Sequence, residues 1–135
     1  HGASEMVAQG AVKGVQAILA FHVDPNLPVG QVSITPGPQS AFCQDFKIEV
    51  RGKGGHGARP HNTIDPIAVA AQLVTLVYQA VPRQTDARDP VVVTIGMIQG
   101  GQAANIIPDT VVMQGTIRSF DQAVSNHARQ TVERL

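Results

Sequence analysis

From Phe42 onward, polar and apolar side chains alternate. In FCQDFKIEVR, residues 42–51, Phe46, Ile48 and Val50 fall on one face and Lys47, Glu49 and Arg51 on the other. A period of two predicts a strand with one wet face, as in an antiparallel sheet. The same alternation returns in DTVVMQGTIRS, 109–119, with Val111, Met113 and Ile117 inward and Gln114, Thr116 and Arg118 outward. Between them, PVVVTIGMI, 90–98, is a β-rich strand. Its two faces, Val91, Val93, Ile95 and Met97 against Val92, Thr94 and Ile98, are both largely apolar, so neither is plainly a solvent face. QGGQAANIIP, 99–108, reads as a glycine turn.

Two segments switch to a helical period. In TIDPIAVAAQLVTLVYQAV, residues Ile67, Ala70, Ala71, Val74, Val77 and Val81 recur at three- and four-residue steps. Asp65 is placed to cap this helix and Pro66 sits at its first position, where a missing N–H costs nothing. Leu73 and Leu76 widen the apolar face, which predicts contact on more than one side. DQAVSNHARQTVERL starts a last helix with Ala123, Val124, Ala128, Val132 and Leu135 as its apolar positions and His127 on its surface.

The first forty residues have another texture. ASEMVAQGAV, 3–12, reads as a short helix with Ser4 as N-cap. VQAILAFHV, 15–23, is nearly all apolar, as a strand buried on both faces of a parallel sheet would be. After the turn DPNLPVG, GQVSIT at 30–35 predicts a second short strand. PGPQS, 36–40, is a stiff connector and marks a domain boundary. We therefore divide the chain into a partial α/β domain, 1–38, and a second domain, 39–135. The second domain reads strand, helix, strand, strand, helix. One more strand would complete a split βαβ sandwich, so the expected fold class is α+β: a ferredoxin-like antiparallel sheet with two helices on one face, lacking its last strand. With no Met at position 1, the chain reads as processed, excised or partial.

Composition removes several function classes. At 135 residues, 43% hydrophobic and 15% charged, the chain is globular rather than disordered. Ten basic residues balance ten acidic ones, which argues against a nucleic-acid partner. Aromatics are 4%, too few for base-stacking platforms. No segment reaches the roughly 18 uninterrupted apolar residues of a membrane span, so no membrane partner is expected. The single cysteine, Cys43, excludes an internal disulfide and fits a cytoplasmic protein. No Walker A loop, HExxH or cysteine pair is present.

The candidate chemistry lies in RGKGGHGARPH, 51–61. His56 stands between Gly55 and Gly57, with little packing expected around it, and glycines let backbone approach a ligand closely. It is a functional histidine or a plain loop histidine. His61 reads as a turn or helix-entry residue. His22 ends the apolar run beside Asp24, where α/β proteins place ligands; it is a metal-binding imidazole or a satisfied histidine at a strand end. Asn105 is a turn asparagine or a ligand contact at the mouth of the glycine turn. Arg118 is a solvated surface arginine or a planar fork for a carboxylate.

The strings AFHVDPNLPVG, FKIEVRGKGGHGARPH, DPIAVAAQLV, GGQAANIIPDTV and GTIRSFD together resemble one family: the dinuclear-metal amidohydrolases and peptidases that include hippurate hydrolase, aminoacylase-like deacylases and auxin-conjugate hydrolases. The resemblance implies a catalytic α/β domain with two divalent metal ions, zinc or manganese, and an inserted ferredoxin-like lid domain that makes a homodimer. It implies cleavage of the amide bond of N-acyl amino acids or related conjugates, with a small-molecule amide as substrate. His22 matches a metal ligand. His56 matches the lid histidine that reaches the partner subunit's active site and stabilises the oxyanion. Asn105 and Arg118 match residues that hold the substrate's free carboxylate, and Gly100 and Gly101 shape the turn that presents Asn105. The family's general-base glutamate and remaining ligands are expected before position 1 or after position 135. One imidazole cannot hold a catalytic zinc, so this chain alone is expected to bind no metal and to be inactive. The rival reading is a non-catalytic ferredoxin-like module for dimerisation or small-ligand binding. Either way the strand at 90–98 is a sheet edge, and its apolar faces predict burial against a second copy.

Overall fold

A computed structural model describes residues 2–135. The chain divides into two compact units, His1–Ile34 and Thr35–Leu135. In the first, helix α1 spans Gly2–Ala8 and ends in turns in which Ala11 N–H reaches the Met6 carbonyl at 2.9 Å. The strands expected at 15–23 and 30–35 do not form. Leu19, Phe21 and Val23 are exposed, as is Ile34. The reason is pairing: a strand needs a neighbour to satisfy its N–H and C=O groups, and the described residues of this unit hold no strand to pair with.

The second unit is α+β. Its main sheet holds β1 (Phe42–Arg51), β5 (Thr110–Ser119) and β3 (Val91–Gly100) in the order β1-β5-β3, all antiparallel. Helices α2 (Pro66–Gln84) and α3 (Gln122–Glu133) cover one face. The strand order and the two helices on one side are those of a split βαβ unit. β1 and β3 are both edges. Beside β1 lies a cavity of about 470 Å³ lined by Phe46, Ile48, Leu73, Val77, Val132 and Leu135, the position this topology reserves for its last strand.

The alternation seen in the sequence is what seats the sheet. Val111, Met113 and Ile117 point into the core and are almost fully buried. Ala70 packs with Val111 and Met113, and Val77, Val81 and Ala128 pack with Val93 and Ile117. Each buried Val, Ile or Met of this set contributes about 1.5–3 kcal/mol by leaving water. Phe46 lies over Gly115, the residue opposite it on β5, and fills the space a side chain there would take. Both helix starts are capped by aspartate. Asp65 accepts from Ile67 N–H at 2.9 Å, and Asp121 from Ala123 and Val124 N–H at 2.7 and 3.0 Å. At the far end of α2, His127 Nε2 donates to the Gln84 carbonyl at 2.8 Å, so His127 is a cap rather than a plain surface residue.

One expected face assignment is reversed. A bulge between Ile95 and Met97 shifts the register, so that Met97 faces Gln114 and Ile98 faces Met113. Opposed residues share a face, which turns Met97 outward and Ile98 toward the helix side. Next to the bulge, Ile95 N–H points away from β5 and donates to the Tyr78 hydroxyl at 2.9 Å. Among the described residues no helix is long and apolar enough to cross a membrane.

Candidate functional site

At the Arg51/Thr110 end of the sheet the chain builds a small lobe. β2 (Gly55–His56) pairs antiparallel with β4 (Ile106–Ile107), so His56 lies opposite Ile106. This second sheet replaces part of the turn expected at 99–108. Asp109 organises it: its carbonyl accepts from Gly52 N–H at 2.7 Å and its carboxylate from Gly54 N–H at 2.8 Å. Lys53 and Ile64 exchange two backbone hydrogen bonds of 2.9 Å. His61 falls in a 3-10 turn, Pro60–Asn62, and is exposed.

The glycines of this lobe provide closeness rather than slack. A Cβ on Gly52 would overlap the Ile64 carbonyl oxygen and the Pro66 ring. A Cβ on Gly57 would stand 3.1 Å from the Asn105 carbonyl oxygen, which Gly57 N–H already contacts at 2.8 Å. Neither has a positive φ. The His56 side chain stays exposed, as expected, while backbone packs tightly against the glycines on either side of it.

That packing fixes the imidazole's chemistry. His56 Nδ1 accepts from Ala58 N–H at 3.1 Å. An accepting Nδ1 carries no proton, so the proton of this tautomer is on Nε2, which is left as an outward donor. The Gly57–Asn105 bond ties Asn105 directly to the same lobe. Gly100 closes β3 opposite Val111, and Gly101, at φ +76°, takes the left-handed turn that leads the chain away toward Asn105.

Arg118 is elsewhere. It sits on the outward face of β5 between Cys43 and Val92, eight residues from Thr110. At about 3.4 Å per residue that is roughly 27 Å from the lobe end of the sheet. Packing along α2 agrees: its first turns meet Val111 and Met113, its last meet Ile117 and Val93. The structure thus joins His56 to Asn105 and separates both from Arg118. Elsewhere on the outer face, Arg51 donates to Glu49 at 2.7 Å and holds that exposed carboxyl below its ordinary pKa. Among the described residues Arg118 makes no ion pair, so its guanidinium is free for a ligand's carboxylate.

His22 lies in the first unit, exposed, with Nδ1 2.7 Å from the Val23 carbonyl. Among the described residues no group of three or more His, Cys, Asp or Glu side chains is placed to hold a metal. One imidazole with one nitrogen engaged does not fit a catalytic metal ion by itself. Sequence reading missed the β2–β4 pairing and the roles of Asp109 and Tyr78. The aspartate beside Pro108, just ahead of an alternating strand, was the available signal for the first two.

The chain is 40% identical to an N-acetyl-L-cysteine deacetylase of Bacillus subtilis over 96% of its own length and 31% of the relative's. It is 40% identical to an N-acyl-L-amino acid amidohydrolase of Geobacillus stearothermophilus, over 99% of this chain and 36% of that one. An IAA-amino acid hydrolase of Arabidopsis thaliana is 39% identical over 99% of the chain and 30% of its own length. The chain therefore spans about a third of the curated relatives it matches. Among solved structures, an aminohydrolase-like protein of methicillin resistant Staphylococcus aureus superposes with a TM-score of 0.83 at 32% identity, over 98% of this chain and 35% of that one. Residues 44–135, the sheet, both covering helices and the His56 lobe, match the family model of the peptidase dimerisation domain, and the chain belongs to that M20 peptidase family.

Proposed function

We propose that this chain is the lid and dimerisation part of a metal-dependent amidohydrolase that cleaves N-acyl amino acids or related conjugates. The reaction class follows the names of the relatives, which act on N-acetylcysteine, N-acyl-amino acids and IAA-amino acid conjugates. All three substrates pair an amide with a free carboxylate, and this chain offers one outward donor for each end. His56 Nε2–H suits the oxygen of an amide carbonyl, where negative charge builds during attack. Arg118 suits the carboxylate, with Asn105 as a further polar contact.

The observation that carries the proposal is the separation of these groups. Roughly 27 Å is too far for His56 and Arg118 of one chain to hold one small substrate. A homodimer resolves this, with His56 arriving from one copy and Arg118 from the other. Pairing of two lids also fits the dimerisation-domain match and the unpaired edge at β3. His22 is proposed as one ligand of a zinc or manganese pair in a longer protein; the full ligand set is not among these residues.

The test uses full-length protein and a panel of N-acyl amino acids, with and without chelator. Chelator is expected to abolish hydrolysis. His56→Ala is expected to lower kcat by about a hundredfold or more, the usual effect of removing one oxyanion donor. An unchanged rate would remove the role given to His56.

A further inference from the structure

We infer that Asp109 is the positioning residue for His56: its side chain fixes the His56 lobe to the central strand of the main sheet. The inference rests on the role proposed above for His56 and adds a residue on which that role depends.

Around His56 the contacts are made by the lobe itself. β2 pairs with β4, Gly57 N–H donates to the Asn105 carbonyl at 2.8 Å, and Ala58 N–H donates to the imidazole at 3.1 Å. These bonds shape the lobe but do not set its place against the sheet. Asp109 does. The chain leaves β1 at Gly52 and enters β5 directly after Asp109. The Asp109 carbonyl accepts from Gly52 N–H at 2.7 Å, and its Oδ1 accepts from Gly54 N–H at 2.8 Å. Gly54 immediately precedes β2, two residues from His56. A Cβ on Gly54 would stand 2.6 Å from the Ile107 carbonyl oxygen and 3.1 Å from Asp109 Oδ1, so the missing side chain is what lets the amide reach the carboxylate.

The strand that receives this tie is the firmest in the sheet. β5 is paired on both sides, and Val111 and Met113, just past Asp109, are almost fully buried. Arg118 stands on the same strand. Both candidate ligand groups are thus referred to β5, Arg118 as one of its residues and His56 through Asp109. An oxyanion donor acts only where it meets the developing charge, and a misplacement of about 1 Å can cost on the order of a hundredfold in rate. A carboxylate that touches no substrate can therefore govern kcat. Asp109 is exposed and lies outside both core clusters, so changing it removes the Gly54 bond without opening the core.

Asp109→Asn and Asp109→Glu in the full-length protein separate reach from charge. Asparagine keeps an acceptor oxygen at the same reach and loses the charge. Glutamate keeps the charge and moves its oxygens by one methylene. Asp109→Glu is expected to lower kcat on N-acyl amino acids by roughly tenfold to a hundredfold with KM unchanged, because Arg118 keeps its place. Asp109→Asn is expected to recover most of that loss. Hydrogen exchange in peptides covering residues 52–58 should quicken in Asp109→Glu and not in Asp109→Asn. Asp109→Ala, which has no acceptor, replaces Asp109→Glu should circular dichroism show that variant unfolded. A wild-type kcat in Asp109→Glu, or a loss in Asp109→Asn as deep as in Asp109→Glu, overturns the inference. If His56→Ala itself leaves the rate unchanged, the role proposed for His56 fails and exchange alone decides the anchor. Quicker exchange over 52–58 in Asp109→Glu then upholds it, and wild-type exchange overturns it.

Discussion

A Cβ added at Gly52 would overlap the Ile64 carbonyl oxygen, and one at Gly57 would crowd the Asn105 backbone. These two contacts hold the segment before and after His56 against its neighbours, so the imidazole is presented by a fixed support. Gly52→Ala must displace backbone that also carries the two Lys53–Ile64 hydrogen bonds. It is expected to cost about 1–3 kcal/mol, as overpacking does, read as a lower urea midpoint with unchanged slope. A protein that tolerates the change without loss would show the lobe to be loose after all. The sequence made His56 a candidate because glycines surround it. It could not tell glycine used for freedom from glycine used for closeness, since that depends on Ile64 and Asn105, which are distant in the chain. Arg118 had the opposite fortune. Its outward position was readable from the alternation Val111, Met113, Ile117, but its distance from His56 required the register of β5.

The elements with one wet face were the legible ones. β1 and β5 show in their sequences which side meets the helices, and their bounds follow. α2 announces its own start through Asp65 and Pro66. Runs that are apolar on both faces were not legible. Residues 15–23 have the composition of a buried strand but no partner in their unit, and composition cannot supply one. In β3, Gly96 hides a bulge that exchanges the faces of Met97 and Ile98, and an isolated glycine in a strand only hints at this. α3 buries Ser125, Ala128 and Thr131 and is held at its start by a side-chain cap. Asp121 satisfies two of its first N–H groups. Asp121→Ala is expected to lower stability by about 1 kcal/mol. Hydrogen exchange should show the loss first at Ala123 and Val124 amides. Equal protection there in both proteins would mean that packing of Ala128 alone sets the helix start.

For the whole molecule the decisive relation is between copies, because the chain divides its candidate site across its own length. If His56 of one copy serves Arg118 of the other, two inactive variants should complement. A His56→Ala homodimer lacks the lobe donor at both sites, and an Arg118→Ala homodimer lacks the carboxylate fork at both. In a mixed dimer one site receives an intact His56 from the first subunit and an intact Arg118 from the second, while the other site loses both. Random pairing of equal amounts makes about half the dimers mixed, each with one good site, so about a quarter of wild-type activity should return. The full-length protein, co-expressed from two tagged copies and assayed before and after separating the mixed species, gives this number directly. If each chain used its own His56 and Arg118, mixing would restore nothing, because no site in any dimer would then hold both groups. The outcome reads out directly whether the site is split between two copies.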